Sequence, residues 1–269
     1  MDALPTRGIP QQRIIEKLDE HMSRRDYDGV ERHLRYWLEE ALAIGDKRGE
    51  LMVRNEMIGH FRKTGNKDQS LLQVGEALRL VGELGFGGTV SAGTTYTNAA
   101  TACNAFGENE RSLRLFEQAV AVYEGIPSTE PQLLGGLYNN MALACVSLQR
   151  FDDADELYQK ALAKMAQVPN GALEQAITYL NMADALTARA NAEPRANGEE
   201  EALAADIARE EAIESYLDTA LGLLDDPTVP RDGYYAFVCE KCAPVFAYYG
   251  YFLADEDLSG RAKAIYERA

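Results

Sequence analysis

Cys239-Glu-Lys-Cys242 is the most chemically suggestive spacing in the chain. A redox pair of this form needs its first thiol at an exposed helix N-terminus, where the dipole stabilises a thiolate. A zinc site needs two further ligands at fixed spacing, and none is near. The pair instead falls inside an apolar, helix-patterned run, residues 234–249, so it reads as core packing. Cys103 and Cys145 read the same way. The histidines, His21, His33 and His60, show no metal-ligand spacing. Gly85-Phe86-Gly87-Gly88 follows a helical stretch and lacks the lysine of a phosphate loop. No serine-nucleophile motif is present. The expectation is a chain with no catalytic residue, no metal and no cofactor, and hence not an enzyme.

What remains is amide chemistry. Asn98, Asn140 and Asn181 recur at steps of 42 and 41 residues, with Glu56 and Lys241 at the flanking places. An amide side chain donates and accepts, so it can pair with a peptide N–H and C=O whatever the peptide sequence. It can equally bond a neighbouring helix as part of a buried ladder. Both uses stay open on the residues alone. Recurrence on one face is what a groove for extended backbone requires.

That recurrence comes from a repeat with a period near 42. Tyr138, Asn140, Ala142 and Cys145 fall on Tyr96, Asn98, Ala100 and Cys103. Tyr158 falls on Phe116, and Ala161 on Ala119 and Ala77. Asn140-Met141-Ala142 returns as Asn181-Met182-Ala183. Each unit reads as two amphipathic helices: Leu137, Met141, Ala144 and Leu148 in one, then Phe151, Ala154, Leu157, Tyr158, Ala161 and Leu162 in the next. Gly65-Asn66, Gly107-Glu108-Asn109 and Gln149-Arg150 mark the turns between them, where glycine and asparagine suit a left-handed cap. Breakers at residues 85–88, 126–128, 169–171 and 226–227 separate the units.

These positions resemble the tetratricopeptide repeat family. The third unit carries Tyr138, Ala142, Phe151, Ala154, Tyr158 and Ala161 at the places where that family puts its aromatic and small residues. The second carries Tyr96, Ala100, Ser112, Phe116 and Ala119. The usual period is about 34 residues; 42 is similar to the kinesin-light-chain type. The resemblance implies an all-α, right-handed solenoid of about five helix pairs filling residues 1–269 as one domain. The units span approximately 11–46, 50–84, 92–125, 134–167, 175–225 and 233–269, with an acidic insert at 191–207 and a long turn at 253–259 in the last. It further implies that the first helix of each unit lines a concave groove. Asparagines there hold a bound peptide's backbone in the kinesin-light-chain type, and Asn139-Asn140-Met141-Ala142 is similar to that motif. The expected groove residues are Asn55, Arg62, Thr97, Asn98, Thr101, Asn104, Asn139, Asn140, Leu143, Asn181 and Asp184. Only Arg62 and Lys63 could serve a carboxylate clamp, so a chaperone-adaptor role is not expected.

Charge narrows the partners. The chain has 43 acidic and 27 basic residues, a formal net charge of −16. Residues 1–68 are balanced at 13 and 13; residues 69–269 hold the whole surplus. Eight acids and two bases fall in residues 193–214 alone. Nucleic acid and anionic membrane are poor partners for such a surface. A neutral or basic protein or peptide suits it. The N-terminus has no signal-peptide pattern, and no stretch approaches a membrane span. Cytoplasmic location with reduced cysteines is expected. The last unit stops inside its second helix without a polar cap, and Phe246, Tyr248, Tyr249, Tyr251 and Phe252 lie near. A homodimer or scaffold formed through that end is the alternative expectation.

Overall fold

The computed structural model describes residues 8–169, 171–194 and 198–268. These residues form twelve α-helices and no strand. They divide into two compact units, Met1–Thr129 and Glu130–Ala269.

In the first unit, α1 (Gln11–Ser23) pairs with α2 (Tyr27–Ile44), α3 (Lys47–Lys63) with α4 (Lys67–Glu83), and α5 (Val90–Ala105) with α6 (Asn109–Glu124). The first helices α3 and α5 also pack on each other, and α2 and α4 bridge to the pair that follows. In the second unit, α7 (Pro131–Ser147) pairs with α8 (Phe151–Met165), α9 (Ala172–Ala192) with α10 (Glu199–Asp225), and α11 (Gly233–Tyr248) with α12 (Phe252–Tyr266). Here α9 lies between α7 and α11. Each unit is thus a stack of helix pairs, the arrangement of an α-solenoid. Six helix pairs are present among the described residues.

One local device ends three first helices 42 residues apart. Gly65, Gly107 and Gln149 have φ of 73°, 80° and 58°. The next residue's N–H then reaches back to an orphan carbonyl: Asn66 to Phe61, Glu108 to Cys103 and Arg150 to Cys145, each at 2.8 Å. This left-handed closure satisfies groups that the helix end leaves open. Asn66 goes on to cap α4, accepting from the Gln69 N–H. At the start of α3, Asp46 accepts from the N–H groups of both Gly49 and Ile9, which ties the N-terminal segment to that helix.

The repeat positions lie in the core between the helices. Ala100, Ala119, Ala142 and Ala161 are fully buried, as are Phe116 and Tyr158. Ser70 and Ser112, also 42 apart, donate across their helix pairs to the carbonyls of Ile58 and Ala100. Gly93 and Gly135 show the same spacing. A Cβ there would stand 2.2 Å from the Tyr123 ring and 2.8 Å from the Met165 methyl.

Two elements differ from the sequence expectation. The last pair has no long turn at 253–259; α12 already runs through it, and the turn is at 249–251. Gly250, at φ 84°, ends α11, and fully buried Leu258 anchors the polar stretch to the core as helix. The 191–207 insert is mostly helix extension: it continues α9 to Ala192 and starts α10 at Glu199. Residues 195–197 of that insert, and Ala269 of the expected C-terminal end, lie outside the described residues.

Candidate functional site

In the first unit the candidate residues gather where α3 meets α5. Asn55 donates both amide hydrogens, to the Leu51 carbonyl and to Thr95 Oγ1, each at 3.0 Å. Its Oδ1 accepts from Asn98 Nδ2 at 3.1 Å. Asn55 is therefore committed to the fold, while the Asn98 Oδ1 and second amide N–H make no hydrogen bond among the described residues. Thr97 and Thr101 turn their hydroxyls back to the carbonyls of Gly93 and Thr97, which leaves their methyl groups for contact. Asn104 lies one turn on from Thr101. Its Oδ1 is buried with no hydrogen bond among the described residues. Arg62 is exposed near the end of α3. Glu56 is half-buried on the same helix; loss of hydration raises its carboxyl pKa, and the charge of Asp19 adds to this.

In the second unit, Asn181 Nδ2 on α9 donates to buried Asn139 Oδ1 on α7 at 3.0 Å. Asn140, the next residue, is half-buried and makes no hydrogen bond among the described residues. Leu143 is half-buried one turn on. Asp184 is exposed on α9 and accepts from the Tyr249 hydroxyl at 3.0 Å; that hydroxyl also meets Thr187 Oγ1 at 2.9 Å. Desolvation raises the Asp184 carboxyl against the opposing pull of the Tyr249 bond.

Asn181 thus sits one residue out of the expected column. Asn55, Thr97, Asn139 and Asn181 form one set at steps of 42, and Asn98 and Asn140 form the next. Asn181 belongs with Asn139, not with Asn140. The bonds run between the sets in the first unit and within one set in the second, so the ladder reading holds for four of the amides. Sequence reasoning missed Thr95 and Tyr249 as partners. The signal for Thr95 was its place, one helical turn after Ser91 and 40 residues after Asn55; nothing in the repeat pointed to Tyr249.

Cys239 and Cys242 are both buried. Burial raises both, Cys242 to about 12, and Cys103 to about 11, which disfavours the thiolate. Among the described residues no group of three or more metal-ligating side chains gathers, and no helix is long and apolar enough to cross a membrane. A cavity of about 280 Å³ opens in the second unit between Met165, Leu173, Glu174, Pro230 and Tyr234. The Tyr234 hydroxyl donates to Glu174 across it.

At the end of the second unit the apolar cluster differs from expectation. Phe246 is fully buried against the α12 side, and Tyr249 and Tyr251 are half-buried. The exposed residues are Tyr248, Phe252 and Leu253, at 70%, 69% and 83%. Leu253 stands in the first turn of α12. All five other second helices hold an acid at that second position: Asp28, Asp68, Glu110, Asp152 and Glu200. An acid in that place favours the helix dipole, and leucine does not.

No family model matches the chain, and no curated protein matches it. Solved structures do. The chain is similar to kinesin-light-chain TPR-like repeats from Podosopora anserina at 15% identity and TM-score 0.51, covering 80% of this chain and 94% of that one. A variant form of the same repeats gives 15% and 0.52, with 80% and 93% covered. BtubC (BKLC) from P. vanneervenii gives 15% and 0.51, with 95% and 91% covered. At this identity the likeness is one of fold: an α-solenoid of TPR-like helix pairs.

Proposed function

We propose that this chain is a non-catalytic protein-interaction module. Within a unit, the face of neighbouring first helices, α3 and α5 in one or α7 and α9 in the other, holds an extended peptide or a partner's helix. The observation that carries this reading is the uneven use of the asparagines. Asn55 is consumed by the fold, yet Asn98 retains spare bonding capacity and Asn140 bonds nothing among the described residues. A half-buried amide that the fold does not use keeps its donors and acceptor for a ligand's backbone. Thr97, Thr101, Asn104, Leu143 and Asp184 flank these amides and supply methyl, apolar and polar contacts. The overall charge favours a neutral or basic partner and disfavours nucleic acid and anionic membrane. The cytoplasm is the proposed location.

The test is selection of a random peptide library on the wild-type chain. The recovered peptides are then measured by fluorescence anisotropy against Asn98→Ala and Asn140→Ala. Each lost amide contact is expected to weaken binding up to about tenfold. Wild-type affinity in both variants sinks the reading.

A second reading rests on exposed Tyr248, Phe252 and Leu253: the C-terminal pair is covered by a second copy. Light scattering at high micromolar concentration decides it. A strict monomer removes it, and a dimer dispersed by Leu253→Asp supports it.

A further inference from the structure

The helix pair α9/α10 is longer than the repeat requires. α10 has 27 residues, where α4 has 17 and α8 has 15. Aligning Ala212 with Ala154, the start of α8 at Phe151 corresponds to residue 209, so α10 begins ten residues early. That is about 15 Å of additional helix. Ala202 is buried, which holds one side of the extension in place.

Its other side is unusual. Leu203 and Ile207, one turn apart, are 59% and 47% exposed on a common face. Glu210, Glu211 and Glu214 continue that face and are all exposed. Across residues 199–214 there are seven acids and one base, and that base, Arg209, is paired with Asp206 at 2.7 Å. The helix dipole accounts for Glu199, Glu200 and Glu201 in the first turn. Its influence does not reach Glu210, Glu211 or Glu214, and it gives no reason for two large aliphatic side chains in water.

We propose that this extension docks a cationic amphipathic helix of a partner protein, with Leu203 and Ile207 as the apolar seat and Glu210, Glu211 and Glu214 as the charge rim. Charge selects the occupant. A second copy would bring the same seven carboxylates against these seven. Anionic lipid and nucleic acid would be repelled in the same way. A lysine- or arginine-faced helix meets both halves of the surface, apolar against apolar and cation against carboxylate. This docking surface is separate from the asparagine faces and does not depend on them.

The experiment uses the full chain and a dye-labelled helical peptide of leucine and lysine in an amphipathic pattern. Its leucine–glutamate counterpart serves as the control. Anisotropy is expected to show binding of the lysine probe alone. Leu203→Ala with Ile207→Ala should weaken it at least about tenfold, since two buried aliphatic contacts are lost. Alanine keeps helix propensity high, and circular dichroism checks that the helix persists. Glu210→Gln with Glu211→Gln and Glu214→Gln should weaken binding most at low salt. Asn98→Ala with Asn140→Ala should leave it unchanged. Several results overturn the proposal: no binding of the lysine probe, equal binding to the Leu203/Ile207 double variant, or loss of binding in the asparagine variant. A wild-type dimer that the Leu203/Ile207 variant dissolves would also overturn it, by making the occupant a second copy.

Discussion

Asn181 on α9 donates its amide to Asn139 on α7 at 3.0 Å, and the two lie 42 residues apart. The bond links neighbouring first helices, and Asn139 is buried. Asn181→Ala leaves the Asn139 oxygen without this partner and is expected to cost about 1–2 kcal/mol. Asn140→Ala breaks no such bond and should change stability by less than about 0.5 kcal/mol. Urea denaturation of the two variants gives the comparison.

Glu56 carries a pH dependence with a definite sign. Its pKa is raised by desolvation first and by Asp19 second, so the folded chain holds this proton more tightly than the unfolded chain does. The resulting stabilisation is fully present below the ordinary carboxylate pKa. It is lost as pH rises from there through the raised value, where the charged form must be tolerated in a poorly hydrated place. Glu56→Gln should therefore raise the melting temperature at pH 7, and the gain should vanish in acid. An unchanged difference between wild type and variant across that range would refute the assignment.

Gly93 and Gly59 should respond oppositely to alanine. A Cβ at Gly93 enters the Tyr123 ring, whose hydroxyl pairs with Thr94 at 2.9 Å. Gly93→Ala is expected to destabilise by about 1–3 kcal/mol through overpacking. Gly59, inside α3, has nothing within 4 Å of that point. Gly59→Ala should stabilise by about 0.5–1 kcal/mol through backbone entropy. Calorimetry on the pair reads both signs.

Cys239 and Cys242 should resist alkylation in the native chain. Both are buried and both thiols are raised, Cys242 to about 12. Iodoacetamide at about pH 8, just below the ordinary thiol pKa, should label them slowly. The rate should follow unfolding when urea is added. Rapid native labelling of either would show a reactive thiol and reopen a redox role.

Much of this architecture was legible in the chain itself. A 42-residue recurrence of small and aromatic residues can only be buried by stacking like helix pairs, so Ala100, Ala142, Phe116 and Tyr158 were readable as core. The glycine turns at 65 and 107 were readable too, because few other residues accept positive φ. The turn at Gln149-Arg150 was readable from the repeat, but its positive φ was not, since glutamine does not by itself favour that backbone state. The polar stretch at 253–259 reads as a loop by composition, yet Leu258 anchors it in the core as helix.

The sequence alone determined the helix-pair repeat and the identity of its small, close-packed positions. Periodicity along the chain is a direct consequence of repeated burial. Which amides meet was decided only by tertiary structure. A step of one residue turns a side chain by about 100° around its helix. That turn separates Asn139, bonded to Asn181, from Asn140 beside it, and residue type alone does not say which of the two adjacent asparagines faces Asn181. The same holds for Phe246 and Phe252. Both are aromatic residues near one turn, yet the packing of α12 buries the first and leaves the second 69% exposed.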